Sequence, residues 1–115
     1  MDLYAGVGLF ALALADAVGP EGAVLAIESD GRAIRDAKSN LRHRPEIELR
    51  RGKVERLLKP LARQGVRADL VVLDPPRPGA GKSVIKDLAA LGPRAFAYVA
   101  CDPAALARAG AYGAG

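Results

Sequence analysis

The fold of this chain is decided by one stretch near its start, Asp2-Leu3-Tyr4-Ala5-Gly6-Val7-Gly8-Leu9-Phe10. A short apolar strand end runs into the glycine turn, Gly6-Val7-Gly8. The Ala- and Leu-rich segment that follows, Leu9–Val18, has the composition of a helix. Glycines in such a turn let a ligand approach the backbone, and the helix start directs N–H groups at it. The stretch therefore predicts a strand–turn–helix unit with a ligand site at its turn.

Apolar runs and helical patterns go on alternating along the rest of the chain. Beyond a first strand at residues 3–4, strands are predicted at residues 23–28, 46–50, 68–73 and 95–100. Further helices are predicted at residues 29–42, 54–63 and 82–91, with a kink or restart at Pro60 and a short last helix capped by Asp102. This alternation indicates right-handed βαβ units and an α/β fold with a doubly wound parallel sheet, in strand order 3-2-1-4-5.

Composition narrows the class of protein. The 115 residues suffice for one domain, and 50% hydrophobic with 26% charged residues is ordinary for a soluble protein. No run is apolar enough to span a membrane, and Asp2 directly after Met1 is unlike a secretory leader. A single cysteine excludes an internal disulfide and favours a reducing, cytoplasmic location. His43 is expected in an exposed turn, and without a Cys/His cluster no metal site is expected.

The formal net charge is +4, and six basic residues lie close together in the sequence. They suit a phosphate backbone, although a solvated surface in an Arg-rich chain is the alternative. The six are Arg42, Arg44, Arg50, Arg51, Lys53 and Arg56.

The first two strand ends carry the signature of a nucleoside site. Glu28 ends the second strand, where an acidic residue accepts hydrogen bonds from ribose hydroxyls. The glycine turn with Ala11 also fits the dinucleotide pattern G-x-G-x-x-A, which is weak evidence alone. Asp2, just before the glycines, favours S-adenosylmethionine (SAM) over NAD. A plain tight turn is the alternative.

Two later strand ends place chemistry at the same edge of the sheet. Asp74 ends the fourth strand, and the prolines of Asp74-Pro75-Pro76-Arg77-Pro78-Gly79-Ala80 fix the backbone after it, so that its carboxylate can orient an amine or a base edge. The alternative is that the prolines merely stop the strand. Cys101 ends the last strand, before a helix start that favours a thiolate, while the adjacent Asp102 opposes it. Cys101 is a candidate nucleophile, or else a small buried apolar side chain.

Together these motifs resemble the RNA uracil-C5 methyltransferase family, which makes 5-methyluridine in tRNA or rRNA. The resemblance runs from Asp2 through the Asp74 motif to Tyr98-Val99-Ala100-Cys101-Asp102-Pro103-Ala104-Ala105-Leu106-Ala107-Arg108. It implies a Rossmann-like SAM-dependent methyltransferase core with RNA as the partner.

The resemblance also implies a role for each site residue. Cys101 is the nucleophile that adds to uracil C6 so that C5 can attack the SAM methyl. Tyr4, Gly6, Gly8 and Glu28 bind SAM, with Tyr4 lining the adenosine pocket and Glu28 holding the ribose diol. Asp74 lies between the methionine end of SAM and the target base.

Three positions depart from the family pattern. Leu9 replaces a common Asn or Thr, Lys53 replaces an acidic or amide residue near the adenine, and Ala5 replaces a cysteine.

The stub of a first strand and the featureless residues 109–115 indicate a catalytic domain, residues 1–115, that is truncated at both ends. The family's upstream RNA-binding domain and downstream glutamate base are expected outside it. A non-catalytic SAM- or RNA-binding module and a methyltransferase without a covalent step remain alternatives. The oligomeric state, the RNA and the target uridine stay open.

Overall fold

The computed structural model describes residues 1–74 and 81–98, in which strands and helices alternate as predicted. The strands are β1 (Asp2–Leu3), β2 (Val24–Glu28), β3 (Ile47–Arg51), β4 (Leu70–Leu73) and β5 (Ala95–Tyr98). The helices are α1 (Leu9–Val18), α2 (Gly31–Leu41), α3 (Val54–Arg63) and α4 (Lys82–Ala90). The predicted helix after Asp102 lies outside the described residues.

The first compact unit, Met1–Val54, contains three parallel strands in the order β3-β2-β1. Asp2 pairs with Ala26 and Val24 pairs with Ile47. Because parallel strands share one direction, the ends of β1 and β2 and the turns that follow them lie at the same edge.

The core of the first unit comes from one face of each helix and from the inward residues of the strands. Ile34, Ala37 and Leu41 recur at the helical spacing in α2 and are all buried, whereas its other face is charged and exposed. The remaining buried apolar residues of this unit are Leu3, Ala5, Ala11, Leu14, Ala15, Val24, Ala26, Ile27, Ile47 and Val54.

The second compact unit begins at Glu55, and in it β4 pairs in parallel with β5, with Leu70 opposite Ala95. Leu91, the residue directly after α4, accepts a backbone hydrogen bond from Ala68 at 3.0 Å, and Arg94 donates one to the Asp69 carbonyl at 2.9 Å. These bonds fix the connection from α4 to β5. The strand orders within the two units agree with the predicted order 3-2-1-4-5.

Of the kink or restart predicted at Pro60, the restart is wrong, because α3 continues through that residue as one helix, and the kink stays a prediction. Proline removes a single backbone donor, here one near the end of the helix. Leu58 and Leu61 on either side of it are buried, and we infer that their packing outweighs the lost bond.

The first strand is also shorter than predicted, because Tyr4 does not extend it. Tyr4 has φ of 62°, a left-handed conformation that non-glycine residues rarely adopt. The chain therefore turns two residues before Gly6, and a bulky aromatic residue adopts a strained backbone conformation there.

An ion-pair cluster lies where β3 begins, at the amino end of the strands. Arg44 contacts Glu46 at 2.5 Å and Asp16 at 2.8 Å. The pKa of Glu46 is lowered by a hydrogen bond from its own backbone N–H and by the bond from Arg44, while both carboxylates raise the pKa of Arg44. Arg50 likewise pairs with Glu48. Two members of the basic group noted in the sequence are therefore already paired with carboxylates.

Two further findings concern the surface. His43 is exposed, as predicted. Within residues 1–74 and 81–98, no helix combines the length and the apolar character needed to cross a bilayer.

Candidate cofactor-binding site

The glycine turn is fixed to the end of β1 by backbone hydrogen bonds. Ala5 donates to the Ile27 carbonyl of β2 at 2.9 Å, and Gly8 donates back to the Ala5 carbonyl at 3.0 Å. Gly6 and Gly8 have φ of 59° and 94°, which side chains disfavour. The conformation of the turn therefore favours glycine at both positions.

Glu28 joins the glycine turn to the end of β2. Its Oε1 accepts the N–H of Gly6 at 2.8 Å, across 22 residues of sequence. Its Oε2 accepts the N–H groups of Ser29 and Asp30 at 2.9 and 2.7 Å. The structure thus brings together two residues, Gly6 and Glu28, that were assigned to one site from the sequence.

The helix that follows the glycine turn starts without a side-chain cap. Gly8 is the N-cap residue of α1 and no side chain of the described residues caps it. The first N–H groups of an α-helix have no partner within the helix, so they are available to a ligand or to water. Three apolar side chains, those of Val7, Leu9 and Phe10, are exposed around this helix start, and Leu9 is 66% exposed.

A residue that the sequence analysis missed also holds the glycine turn. Asn40, in the last turn of α2, donates from Nδ2 to the Val7 carbonyl at 2.8 Å. Its neighbour Leu41 lies directly below Gly8, where an added Cβ would come within 3.2 Å of three Leu41 atoms. Nothing in the local pattern predicts this contact, because Asn40 is simply a polar residue on the exposed face of a helix.

The end of β3 lies next to the turn between β2 and α2. Gly52 donates to the Glu28 carbonyl at 3.0 Å, and the Arg51 guanidinium lies against Gly31, with Nη2 3.1 Å from the position of an added Cβ. Lys53 follows and is exposed. Basic side chains therefore flank the strand end at which the sequence analysis expects an adenine contact.

The other predicted site residues lie outside the glycine turn itself. Tyr4 directly precedes Ala5 and is half-buried, and Asp2 is fully buried within β1. Asp74 follows β4 in the second unit and is exposed. Cys101 and most of the proline motif, residues 75–80, lie outside the described residues, so the predicted juxtaposition of Asp74 and Cys101 stays a prediction.

The chemistry of this turn suits a ligand with hydroxyl groups and a negative charge. Glu28 accepts hydrogen bonds, the start of α1 offers donors and a positive dipole end, and the glycines present no side chain to block approach. Among the described residues, no group of three or more His, Cys, Asp or Glu side chains is placed to hold a metal ion.

Comparison with known proteins places similar sequences among RNA methyltransferases. An uncharacterized RNA methyltransferase from Streptomyces avermitilis is 57% identical over 109 residues, which is 94% of this chain. Another from Streptomyces coelicolor is also 57% identical, and one from Bifidobacterium longum is 40% identical. The chain spans about a quarter of the length of these relatives, 24%, 23% and 25%. No protein-family model matches it.

Solved structures resemble the chain in fold. Fibrillarin from Aeropyrum pernix, solved with natively bound S-adenosyl-L-methionine, matches 77% of this chain and 39% of its own, with a TM-score of 0.63 and 23% identity. A putative RNA methyltransferase from Pyrococcus horikoshii matches 65% of this chain and 34% of its own, with a TM-score of 0.50 and 25% identity. These likenesses confirm the predicted fold class: the chain has the doubly wound, Rossmann-like α/β fold of SAM-dependent methyltransferases.

Proposed function

We propose that this chain is part of the catalytic domain of a SAM-dependent RNA methyltransferase that methylates C5 of a uridine in tRNA or rRNA. The observation that carries the proposal is the 2.8 Å hydrogen bond from Gly6 to Glu28, which joins a glycine turn to a strand-end carboxylate. The names of the relatives, RNA methyltransferases in three bacteria, support RNA as the partner.

The residues of the glycine turn fit SAM. Tyr4, Gly6 and Gly8 line the cofactor, and the start of α1 favours its carboxylate. Two carboxylate oxygens offer about four lone-pair positions. Three backbone N–H groups already use Glu28. Glu28 therefore keeps capacity for one ribose hydroxyl rather than for both, which refines the expectation drawn from the sequence.

Cys101 acts as the nucleophile in the proposed reaction. Its thiolate forms a bond to uracil C6, and the electron pair of the C5–C6 double bond moves into the ring as an enolate, which makes C5 nucleophilic. SAM would supply the methyl group that C5 takes up: its S–CH3 bond would break, and that electron pair would stay on sulfur as a thioether. A general base, a glutamate in the family that the chain resembles, then removes the C5 proton. The returning electron pair restores the double bond and releases the Cys101 thiolate.

Asp74 is proposed to orient the target base beside the cofactor. Asp74 directly follows β4 and is exposed, so its carboxylate can accept hydrogen bonds from an amine or from a base edge. The base must leave its RNA stack to be reached, as in other enzymes that act on bases.

We place the reaction in the cytoplasm, and we treat residues 1–115 as part of one methyltransferase domain.

The test is a covalent trap with the full-length protein. RNA containing 5-fluorouridine, incubated with SAM, should stall as an adduct, because fluorine at C5 does not leave as a proton. Mass spectrometry should map the adduct to Cys101. Cys101→Ala should abolish both the adduct and the turnover on normal RNA.

Two outcomes separate the alternatives. Normal methylation of uridine by Cys101→Ala would overturn the covalent step and favour a methyltransferase that does not use one. A protein that binds SAM or RNA but yields neither adduct nor 5-methyluridine with any tRNA or rRNA would favour the non-catalytic module.

A further inference from the structure

The glycine turn is held from both sides by side chains of other elements. Glu28 accepts the N–H of Gly6, and Asn40 donates to the carbonyl of Val7, the residue between the two glycines. Leu41, next to Asn40, lies directly below Gly8. The last turn of α2 therefore contacts the glycine turn at two adjacent residues.

The need for such contacts follows from the glycines themselves. Gly6 and Gly8 adopt positive φ angles, and glycine loses more conformational freedom on ordering than any other residue. A turn that is ordered only when a ligand arrives weakens binding by the cost of that ordering. A fixed donor on a helix lowers this cost, because it holds the turn in one conformation beforehand.

The identity of residue 40 supports this role. Asn40 is exposed, and at an exposed helix position Asn is a poorer helix former than Ala or Lys. Its side chain reaches across 33 residues of sequence to a carbonyl in the turn. The benefit of an amide at this position is therefore the bond to Val7 and not the stability of α2.

We infer that Asn40 is a positioning residue for the cofactor, which acts through the Val7 carbonyl and the glycine turn without contacting the ligand itself. This inference rests on the proposed SAM site. Removing the donor should leave the fold intact, loosen the turn and weaken SAM binding.

The test uses Asn40→Ala and Asn40→Asp, which both lack the amide donor, with Ser39→Ala as the matched control on the same exposed face. Both Asn40 variants should bind SAM roughly three- to tenfold more weakly, as expected for loss of one net hydrogen bond. Because Ala favours the helix, Asn40→Ala should keep the thermal midpoint of the ligand-free protein or raise it. A merely structural role would lower the affinity and the midpoint together.

A second measurement needs no ligand. The amides of Gly6 and Gly8 are hydrogen-bonded, so their hydrogen exchange reports opening of the turn. Exchange at both should accelerate in Asn40→Ala, while the core amides of β2 remain as slow as in the wild type.

The outcomes are distinguishable. Unchanged exchange at Gly6 and Gly8, or SAM affinity within twofold of the wild type in both Asn40 variants, overturns the role of Asn40 but not the proposed function. A wild-type protein that binds no SAM overturns the proposed function, and with it the positioning role.

Discussion

Two βα turns of the first unit begin at the same edge of the sheet. They differ in whether side chains accept the backbone N–H groups at the start of the following helix. After β2, the turn uses its own carboxylates: Glu28 accepts the N–H groups of Ser29 and Asp30, and Asp30 caps α2 by accepting from Arg32 at 3.4 Å. After β1, the chain uses glycines, and among the described residues no side chain caps α1. Where a chain leaves its backbone donors unsatisfied at a strand end, a ligand can use them.

The largest effect is expected at the residue that both turns share. Glu28→Ala removes acceptors from the glycine turn, from the β2–α2 turn and from the ribose. Hydrogen bonds to a charged group contribute about 1.5–3 kcal/mol. SAM affinity should therefore fall by roughly tenfold or more in calorimetric titration.

Glu48→Ala is the control for that prediction, because Glu48 is an exposed carboxylate that pairs with Arg50 on β3. It should leave SAM affinity unchanged. Equal losses in the two variants would show that general charge, and not the position of Glu28, determines binding.

The second prediction concerns only the glycine turn between β1 and α1, in which no side chain of the described residues caps the helix. Gly8→Ala places a side chain at φ of 94° and within 3.2 Å of Leu41. The left-handed conformation costs about 1–2 kcal/mol. Both the free energy of unfolding and the SAM affinity should fall, as measured by denaturant titration and calorimetry.

Gly65→Ala is the control for Gly8→Ala, because it introduces the same kind of backbone strain outside the proposed SAM site. Gly65 has φ of 75°, but an added Cβ would meet nothing within 4 Å. This variant should lose stability and keep its SAM affinity. Should Gly8→Ala bind SAM as well as Gly65→Ala does, the glycine turn is not the binding site.

The third prediction concerns the turn between β2 and α2, in which Asp30 caps the helix. Asp30→Ala removes the cap of α2 but keeps the Asp30 backbone N–H that Glu28 accepts. Loss of a cap typically costs about 0.5–2 kcal/mol, and the 3.4 Å bond to Arg32 places this case near the lower end. Stability in denaturant should fall by that amount, with SAM affinity within twofold of the wild type. A tenfold loss of affinity would mean that the ligand uses both turns.

The smallest effect is expected far from either turn, at the start of β3. The folded-state pKa of Glu46 lies below the ordinary value of 4.5, so its contribution to stability is present above that pH and is lost as the pH falls through the lowered pKa. Glu46→Gln should therefore lose less stability than the wild type on acidification from about pH 5, in thermal melts followed by circular dichroism. SAM affinity at neutral pH should not change. A steeper acid loss in the variant would contradict the lowered pKa.

Sequence patterns predicted the elements of this fold well because the signals are local. The spacing of Ile34, Ala37 and Leu41 in α2 follows from burial of one helix face. The unbroken apolar run of β4 is typical of a strand covered on both faces, and the structure buries Val71 and Leu73 and half-buries Leu70 and Val72. Pro60 misled the prediction, because propensity does not include the packing of Leu58 and Leu61 around it.

The site was predicted in part. Gly6 and Glu28 follow from the rule that ligands bind beyond the carboxyl ends of parallel strands, and the structure places them in contact. Asn40 lies 33 residues from its partner and resembles any other surface amide, so only the packing of α2 against the turn reveals it. The left-handed Tyr4 was hidden for a similar reason, because an aromatic residue after an apolar one favours a longer strand.

The central claim is that the glycine turn between β1 and α1 holds SAM. The most direct test is a nuclear magnetic resonance titration of the full-length, nitrogen-15-labelled protein with SAM and, separately, with NAD. SAM should shift the amides of Val7, Leu9 and Phe10 strongly and those in the middle of α2, away from its first and last turns, only weakly, while NAD at the same concentration should leave all of them in place. Shifts of the glycine-turn amides by NAD and not by SAM would contradict the account.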